Sequence, residues 1–301
     1  MKRKKTLGVL KWIWITVVIL AAGWYFYSRY QEISTYLGSL SIPRLVLSFF
    51  MLLAGKFLIA DITRTSLEKI DHRVGFFDAL TITYVTQLGK YLPGGVWHFA
   101  GKFGVYRLRG ISTKKSTQAL VLETVWLFSA AGLAGVTLLI ASSRDLLCQY
   151  AVLLCDSFFM TAVAIGLPLV WAASLWLFEW LFLGKRKINR ARFLWMIAKL
   201  VAIWIFFGVS YWLVFPAHSG FFLQITSAFS LGWLAGYIAI FAPGGIGIRE
   251  LLLTVLLSSF FSAGEVAIYA TIHRLLWVLA EILLGAGSAL IFGMPVSTPE
   301  P

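Results

Sequence analysis

Charge is scarce in this sequence. Only 13% of its 301 residues are Asp, Glu, Lys or Arg, about half of the ~25% usual for a soluble domain. A soluble fold of this length could not hide the 59% that are hydrophobic, and the mean hydropathy is +0.84. A cytosolic enzyme and a disordered chain are therefore excluded. Cysteine is nearly lacking as well: Cys148 and Cys155 are the two present. They cannot form a framework, which excludes a disulfide-rich secreted domain. Seven residues apart near the outer side, they are read as an unbridged pair, with a disulfide between them as the alternative. The sequence also lacks a nucleotide-binding loop, a plausible Ser-His-Asp arrangement, a His/Cys/Glu cluster with metal spacing, and any long polar segment that would form a separate soluble domain.

What remains is an all-α polytopic membrane protein, a single integral membrane domain over residues 1–301. A spanning helix needs about 20 mainly apolar residues. Six stretches qualify: 10–28, 45–60, 119–141, 157–183, 195–215 and 266–292. Two more, 79–108 and 221–262, are apolar but interrupted by Gly-rich turns. The basic start Met1-Lys2-Arg3-Lys4-Lys5 resembles a signal peptide, but the run after it ends in Trp24-Tyr25-Phe26-Tyr27 rather than small residues. Those aromatics suit an interfacial belt, so the first span is read as uncleaved.

Lys and Arg total 26 against 13 acidic residues, a net charge of +13. In a chain this apolar the excess points to cytoplasmic loops beside anionic lipid rather than to nucleic acid. Basic residues cluster in the N-terminal stretch and in 56–78, 101–115 and 184–194. The positive-inside rule puts these in the cytoplasm, with the protein in the cell membrane and its N-terminus inside. Since 56–78 and 101–115 flank 79–99, that stretch is expected to enter and leave on one side, as a re-entrant pair of half-helices broken at Leu92-Pro93-Gly94-Gly95. Lys56 and Lys199 are read as snorkelling to the interface, Glu179 as pairing with the 185–192 basic cluster, and Lys102, Arg107 and Arg109 as cytoplasmic anchors.

The break has a counterpart at Phe241-Ala242-Pro243-Gly244-Gly245. Pro93 and Pro243 stand 150 residues apart, half the chain. Three full spans lie between them, and an odd number inverts the second element. The expectation is an inverted repeat with halves near 40–150 and 190–293, its two re-entrant broken helices meeting near the midplane. A parallel repeat would follow if both breaks lay inside full spans.

Pro removes a backbone donor and Gly accepts conformations that other residues avoid. A break in lipid persists only where protein or a wet cavity covers it. Half-helix starts aimed at such a cavity would favour an anion. The candidate lipid-binding residues are Lys90, Pro93, Gly94, Gly95, Trp97, His98 and Lys102 around the first break. Around the second they are Pro243, Gly244, Gly245, Gly247, Arg249 and Glu250. Arg274 and Glu281, seven apart on one face of the last span, complete the set. Lys102 doubles as a candidate anchor, and Trp97 could pack on a lipid glycerol region. Arg249-Glu250 reads equally as an ion pair pinning the break, and Glu123 equally as a structural partner. His273 is read as a hydrogen-bonded core histidine, and Gly232 and Gly236 as a helix-packing Gly-x-x-x-Gly.

Gln87-Leu88-Gly89-Lys90-Tyr91-Leu92-Pro93-Gly94-Gly95-Val96-Trp97 with Gly110-Ile111-Ser112, and Ala242-Pro243-Gly244-Gly245-Ile246-Gly247-Ile248-Arg249-Glu250, resemble the two signatures of the lysylphosphatidylglycerol synthase transmembrane family. The resemblance covers roughly residues 10–292. It implies a membrane domain associated with moving phospholipids between leaflets. The aminoacyl-transferase domain often joined to it is not expected here, because the chain stops at Pro301 just after its last span. Bulky Trp97-His98 follows the first break where the second signature has Ile246-Gly247, so the lipid is expected to differ from aminoacylated phosphatidylglycerol. Polyprenyl-phosphate-linked sugars are an alternative anionic lipid.

A flippase-like carrier of an anionic phospholipid or polyprenyl-phosphate-linked lipid is thus the leading expectation. Its partner is membrane lipid, and no cofactor and no metal are implied. An accessory or assembly subunit of an envelope pathway, as a homo-oligomer or bound to partner enzymes, stands second. A lipid-modifying transferase stands third, since the expected outer loops offer only scattered carboxylates. Energy would come from downhill movement or from protons at Glu123, Glu250 or Glu281.

Overall fold

A computed structural model describes residues 30–91, 96–143, 147–148, 156–184, 189–215, 219–239 and 242–295. Every element among them is helical, as a chain must be where no water is at hand to satisfy its backbone. A short α1 spans Tyr30–Gly38, followed by α2 at Ile42–Lys69, α3 at Phe76–Gln87 and α4 at Trp97–Leu108. Next come α5 at Thr113–Ser142, α6 at Ser157–Leu183 and α7 at Arg190–Leu213. The chain then forms α8 at Phe222–Ile238, α9 at Ile248–Leu257 and α10 at Ala263–Phe292. Side-chain caps at Ser112, Asp156, Asn189 and Ser262 start four of these helices.

Five helices, α2, α5, α6, α7 and α10, are long and apolar enough to cross a membrane. They fall on the expected spans at 45–60, 119–141, 157–183, 195–215 and 266–292. The sixth expected span, 10–28, lies outside the described residues, and so does the basic N-terminal stretch, one of the regions read as cytoplasmic.

α2 outruns its expected end because polar side chains in its second half are buried against partners. Lys56 binds Glu281 of α10 at 2.9 Å. Lys199 of α7 binds Asp61 at 2.8 Å and donates to Thr65 at 2.6 Å. Snorkelling is therefore overturned for both lysines: each is buried in the bundle and paired there. Glu179 likewise pairs with Lys69 of α2 at 2.5 Å rather than with the basic cluster after its own helix. A carboxylate wholly withdrawn from solvent needs a counter-charge at bonding distance, and here that charge is on α2, not on the nearest loop.

The two broken stretches are hairpins. Asp78, in the first turn of α3, binds Arg109, just past α4, at 3.0 Å, so the two arms begin and end together. Arg109 also donates to the Pro295 carbonyl, and Phe77 stacks on Phe292. This open end therefore lies at the C-terminal end of α10, and Arg109 is a hairpin clasp rather than a plain anchor. In the second hairpin, Phe221 before α8 packs on Phe260 and Phe261 beyond α9. Phe261 immediately precedes Ser262, the cap of α10, so this hairpin opens at the opposite end of α10.

Packing crosses between the halves. α3 lies chiefly on α10, α8 chiefly on α5, and α2 against α7. α5 and α10 are both 30 residues long and are capped by serines 150 positions apart, Ser112 and Ser262. The tight turn of the second hairpin uses Gly245 at φ +73°, where a Cβ would lie 2.7 Å from the Gly236 Cα. Gly236 and Gly232 do form a packing face, against Gly245 and against Leu253 and Arg249 of α9. The expected unbridged cysteines are corrected: Cys148 is disulfide-bonded, while Cys155 lies outside the described residues.

Candidate functional site

The two hairpin tips meet beside the middle of α10. From the first tip, a 3₁₀ turn at Leu88–Tyr91 presents Lys90 and Tyr91. From the second, a turn at Pro243–Gly245 leads to Gly247, the N-cap of α9. Tyr91 sits against Gly244, since a Cβ there would lie 3.4 Å from the Tyr91 ring. α10 contributes Arg274, Trp277 and Glu281, spaced three and four apart and so stacked along one face.

Glu281 is the hub. One carboxylate oxygen accepts from Lys56 at 2.9 Å, Lys90 at 2.5 Å and the Trp277 indole at 2.6 Å. The other accepts from the Tyr91 hydroxyl at 2.6 Å. Lys56 also lies 3.8 Å from the centre of the Trp277 ring, a cation–π contact. A carboxylate with four donors offsets the cost of burial through short charge-assisted bonds.

Arg274 donates to the Gly244 carbonyl at 2.6 Å and reaches Glu250 at 3.4 Å. Glu250 accepts the Gly247 amide at 2.8 Å, so the start of α9 is capped by its own chain. The expectation of a bare half-helix start facing a ligand is corrected at this amide. Arg249 differs from its neighbours. It is 7% exposed, and its guanidinium lies 4.4 Å from the Phe229 ring centre and 5.4 Å from that of Trp277. Among the described residues it makes no hydrogen bond and no ion pair; Glu250, its expected partner, is bound to Arg274 instead.

Lys90, Arg249 and Arg274 face one cavity, walled by Tyr91, His98, Trp233, Tyr237, Gly244 and Trp277. Its interior is small, about 40 Å³, and opens to a mouth. A second cavity, also of about 40 Å³, shares His98, Trp233 and Tyr237 as its wall. Behind that wall Lys102 binds Glu123 at 2.5 Å and Thr63 at 3.1 Å, and Thr63 also donates to Glu123 at 3.0 Å. The Tyr237 hydroxyl donates to Gln87 at 2.9 Å, tying α8 to α3 between the two spaces.

The sequence-derived set divides accordingly. Lys90, His98, Gly244, Arg249 and Arg274 line the first cavity, and Glu281, Glu250 and Gly247 hold its frame. Pro243 and Gly245 shape the turn. Lys102 belongs to the second cavity and is buried rather than an anchor. Trp97 is half-exposed and lines neither cavity. Pro93, Gly94 and Gly95 lie outside the described residues. His273 is a core histidine, bonded to Ser210 at 3.0 Å. Sequence reasoning missed Lys56, Tyr91, Trp233, Tyr237, Gln87 and Trp277. Trp277 had a signal, sitting on the face shared by Arg274 and Glu281, and Tyr91 stands two residues before Pro93.

Among the described residues no group of three or more His, Cys, Asp or Glu could hold a metal ion. The arrangement offers fixed positive charge with aromatic walls, which suits binding of an anion. No protein-family model matches this chain, and no curated protein matches it.

Proposed function

We propose that this protein is a flippase-like carrier that passes an anionic lipid headgroup between leaflets of the cell membrane, with its N-terminus in the cytoplasm. The observation carrying this reading is Arg249, a buried cation with no hydrogen bond and no ion pair among the described residues, facing a cavity where two oppositely opening hairpins meet. A charge so placed is expensive, and such residues mark substrate paths in membrane bundles. An inverted repeat accounts for several features together. The hairpins open at opposite ends of α10, each packs on the closing helix of the other half, and Gln87 bonds to Tyr237, its equivalent 150 residues on. The resemblance to the lysylphosphatidylglycerol synthase transmembrane signatures supports the same reading. A headgroup would sit at the tips while its tails stay in lipid, and rocking of one half against the other would change which side the cavity faces.

The test is leaflet exchange of a fluorescent phosphatidylglycerol in liposomes containing the purified protein, followed by dithionite quenching. Wild-type protein should accelerate exchange. Arg249→Gln should return it to the protein-free rate, and Lys115→Gln, at an exposed pair far from the tips, should not. Wild-type exchange no faster than in empty liposomes would sink the proposal.

A further inference from the structure

The charge balance at the tips narrows the headgroup. Lys56, Lys90, Arg249 and Arg274 stand against Glu281 and Glu250, four positive charges against two negative, an excess of two. The neighbouring cluster is even: Lys102 against Glu123. A monoanionic ligand would leave one buried positive charge uncompensated, and a dianion would leave none. The number of binding elements points the same way. The three cations facing the cavity come from three different elements: Lys90 from the first tip, Arg249 from α9 and Arg274 from α10. A phosphate monoester has three terminal oxygens for them, whereas the phosphodiester of phosphatidylglycerol has two. Guanidinium forks are well matched to terminal phosphate oxygens.

We infer that the cavity between the hairpin tips binds a dianionic phosphate monoester at the end of a lipid, such as phosphatidic acid or a polyprenyl monophosphate, in preference to a phosphodiester lipid. This rests on the transport reading of the same site but goes beyond it in naming the headgroup chemistry. Bound there, the phosphate takes Arg249 as its main counter-ion and draws on Lys90, which Glu281 otherwise holds.

The full-length protein in detergent, titrated by calorimetry, provides the test. At about pH 8, above the second phosphate pKa of roughly 6, a monoester is dianionic. Dioctanoyl phosphatidic acid should bind about tenfold more tightly than dioctanoyl phosphatidylglycerol, the scale of one additional charge-assisted contact. Arg249→Gln should erase that preference. Arg249→Lys, which keeps the charge, should retain part of it, and an unchanged unfolding temperature in both variants certifies their folding. Equal binding of the two lipids, or a preference untouched by Arg249→Gln, overturns the inference. Inorganic phosphate binding as tightly as phosphatidic acid overturns the lipid source. Arg249-dependent exchange of phosphatidylglycerol without any monoester preference would defeat this inference and leave transport standing. A clear monoester preference with no leaflet exchange of either lipid would defeat transport alone.

Discussion

Two polar clusters lie side by side in this bundle, separated by His98, Trp233 and Tyr237, and they are built to different rules. Around Glu123 the charges cancel: Lys102 binds one carboxylate oxygen at 2.5 Å, with Thr63 bonded to both, while the other oxygen is buried without a hydrogen-bond partner. Around Glu281 the acid is saturated by four donors, yet Arg249 a few ångströms away has no acceptor among the described residues. Balanced burial is what a fold needs in order to hold together. Unbalanced burial is a standing cost that a fold keeps only where something else uses the charge. The same molecule thus shows what structural charge looks like, and that makes the departure at the tips legible.

The largest expected effect separates the two clusters by sign. Glu123→Ala strands Lys102 in the bundle and should lower stability by roughly 3–5 kcal/mol, as removal of one partner of a buried pair does. The double replacement Lys102→Met with Glu123→Met should recover most of that loss. Arg249→Met should leave the unfolding temperature equal or higher, since it removes a buried charge that no hydrogen bond or ion pair holds among the described residues. Thermal unfolding in detergent checks all three. A fall with Arg249→Met as large as that with Glu123→Ala would put both clusters in the structural class.

Next comes the tip itself. Gly245→Ala puts a Cβ at φ +73° and 2.7 Å from Gly236. The left-handed conformation and the overpacking together should cost roughly 2–4 kcal/mol. Gly104→Ala on α4, where a Cβ meets nothing within 4 Å, should be neutral or stabilising by up to about 1 kcal/mol. The comparison is read by unfolding, and by leaflet exchange, which the first substitution should abolish and the second should preserve.

Much of this organisation is legible in the sequence because breaks have local causes. Pro243-Gly244-Gly245 interrupts an apolar stretch wherever it stands, and the spacing of Arg274 and Glu281 already puts them on one face. What could not be read is partnership. Lys56 looks like a snorkelling lysine because sequence gives its depth in a span, not the carboxylate 225 residues away that binds it. Sequence alone pairs Glu179 with the nearest basic loop for the same reason, while its partner Lys69 lies 110 residues back. Arg249 and Glu250 are neighbours in sequence and on a helix, yet adjacent helical positions do not face each other. That is why the expected pair separates, with Glu250 turning to Arg274 and the Gly247 amide.

The smallest effect tests the wall between the clusters. Tyr237 and Gln87 are joined by a bond of 2.9 Å at positions 150 residues apart, and the His98 ring packs edge-on against Tyr237 at 5.5 Å. Tyr237→Phe keeps the ring and the wall but removes the tie between the hairpins. Stability should fall by about 1 kcal/mol, the net worth of one such bond. The effect on exchange has the more telling sign. If the hairpins must move against each other to turn the cavity, a bond linking their arms raises the barrier to that motion, and Tyr237→Phe should quicken exchange while weakening the fold. A slower rate at unchanged lipid affinity would mean that the bond holds the conducting arrangement rather than opposing it. The tips would then act as one rigid unit, with the motion placed elsewhere in the bundle.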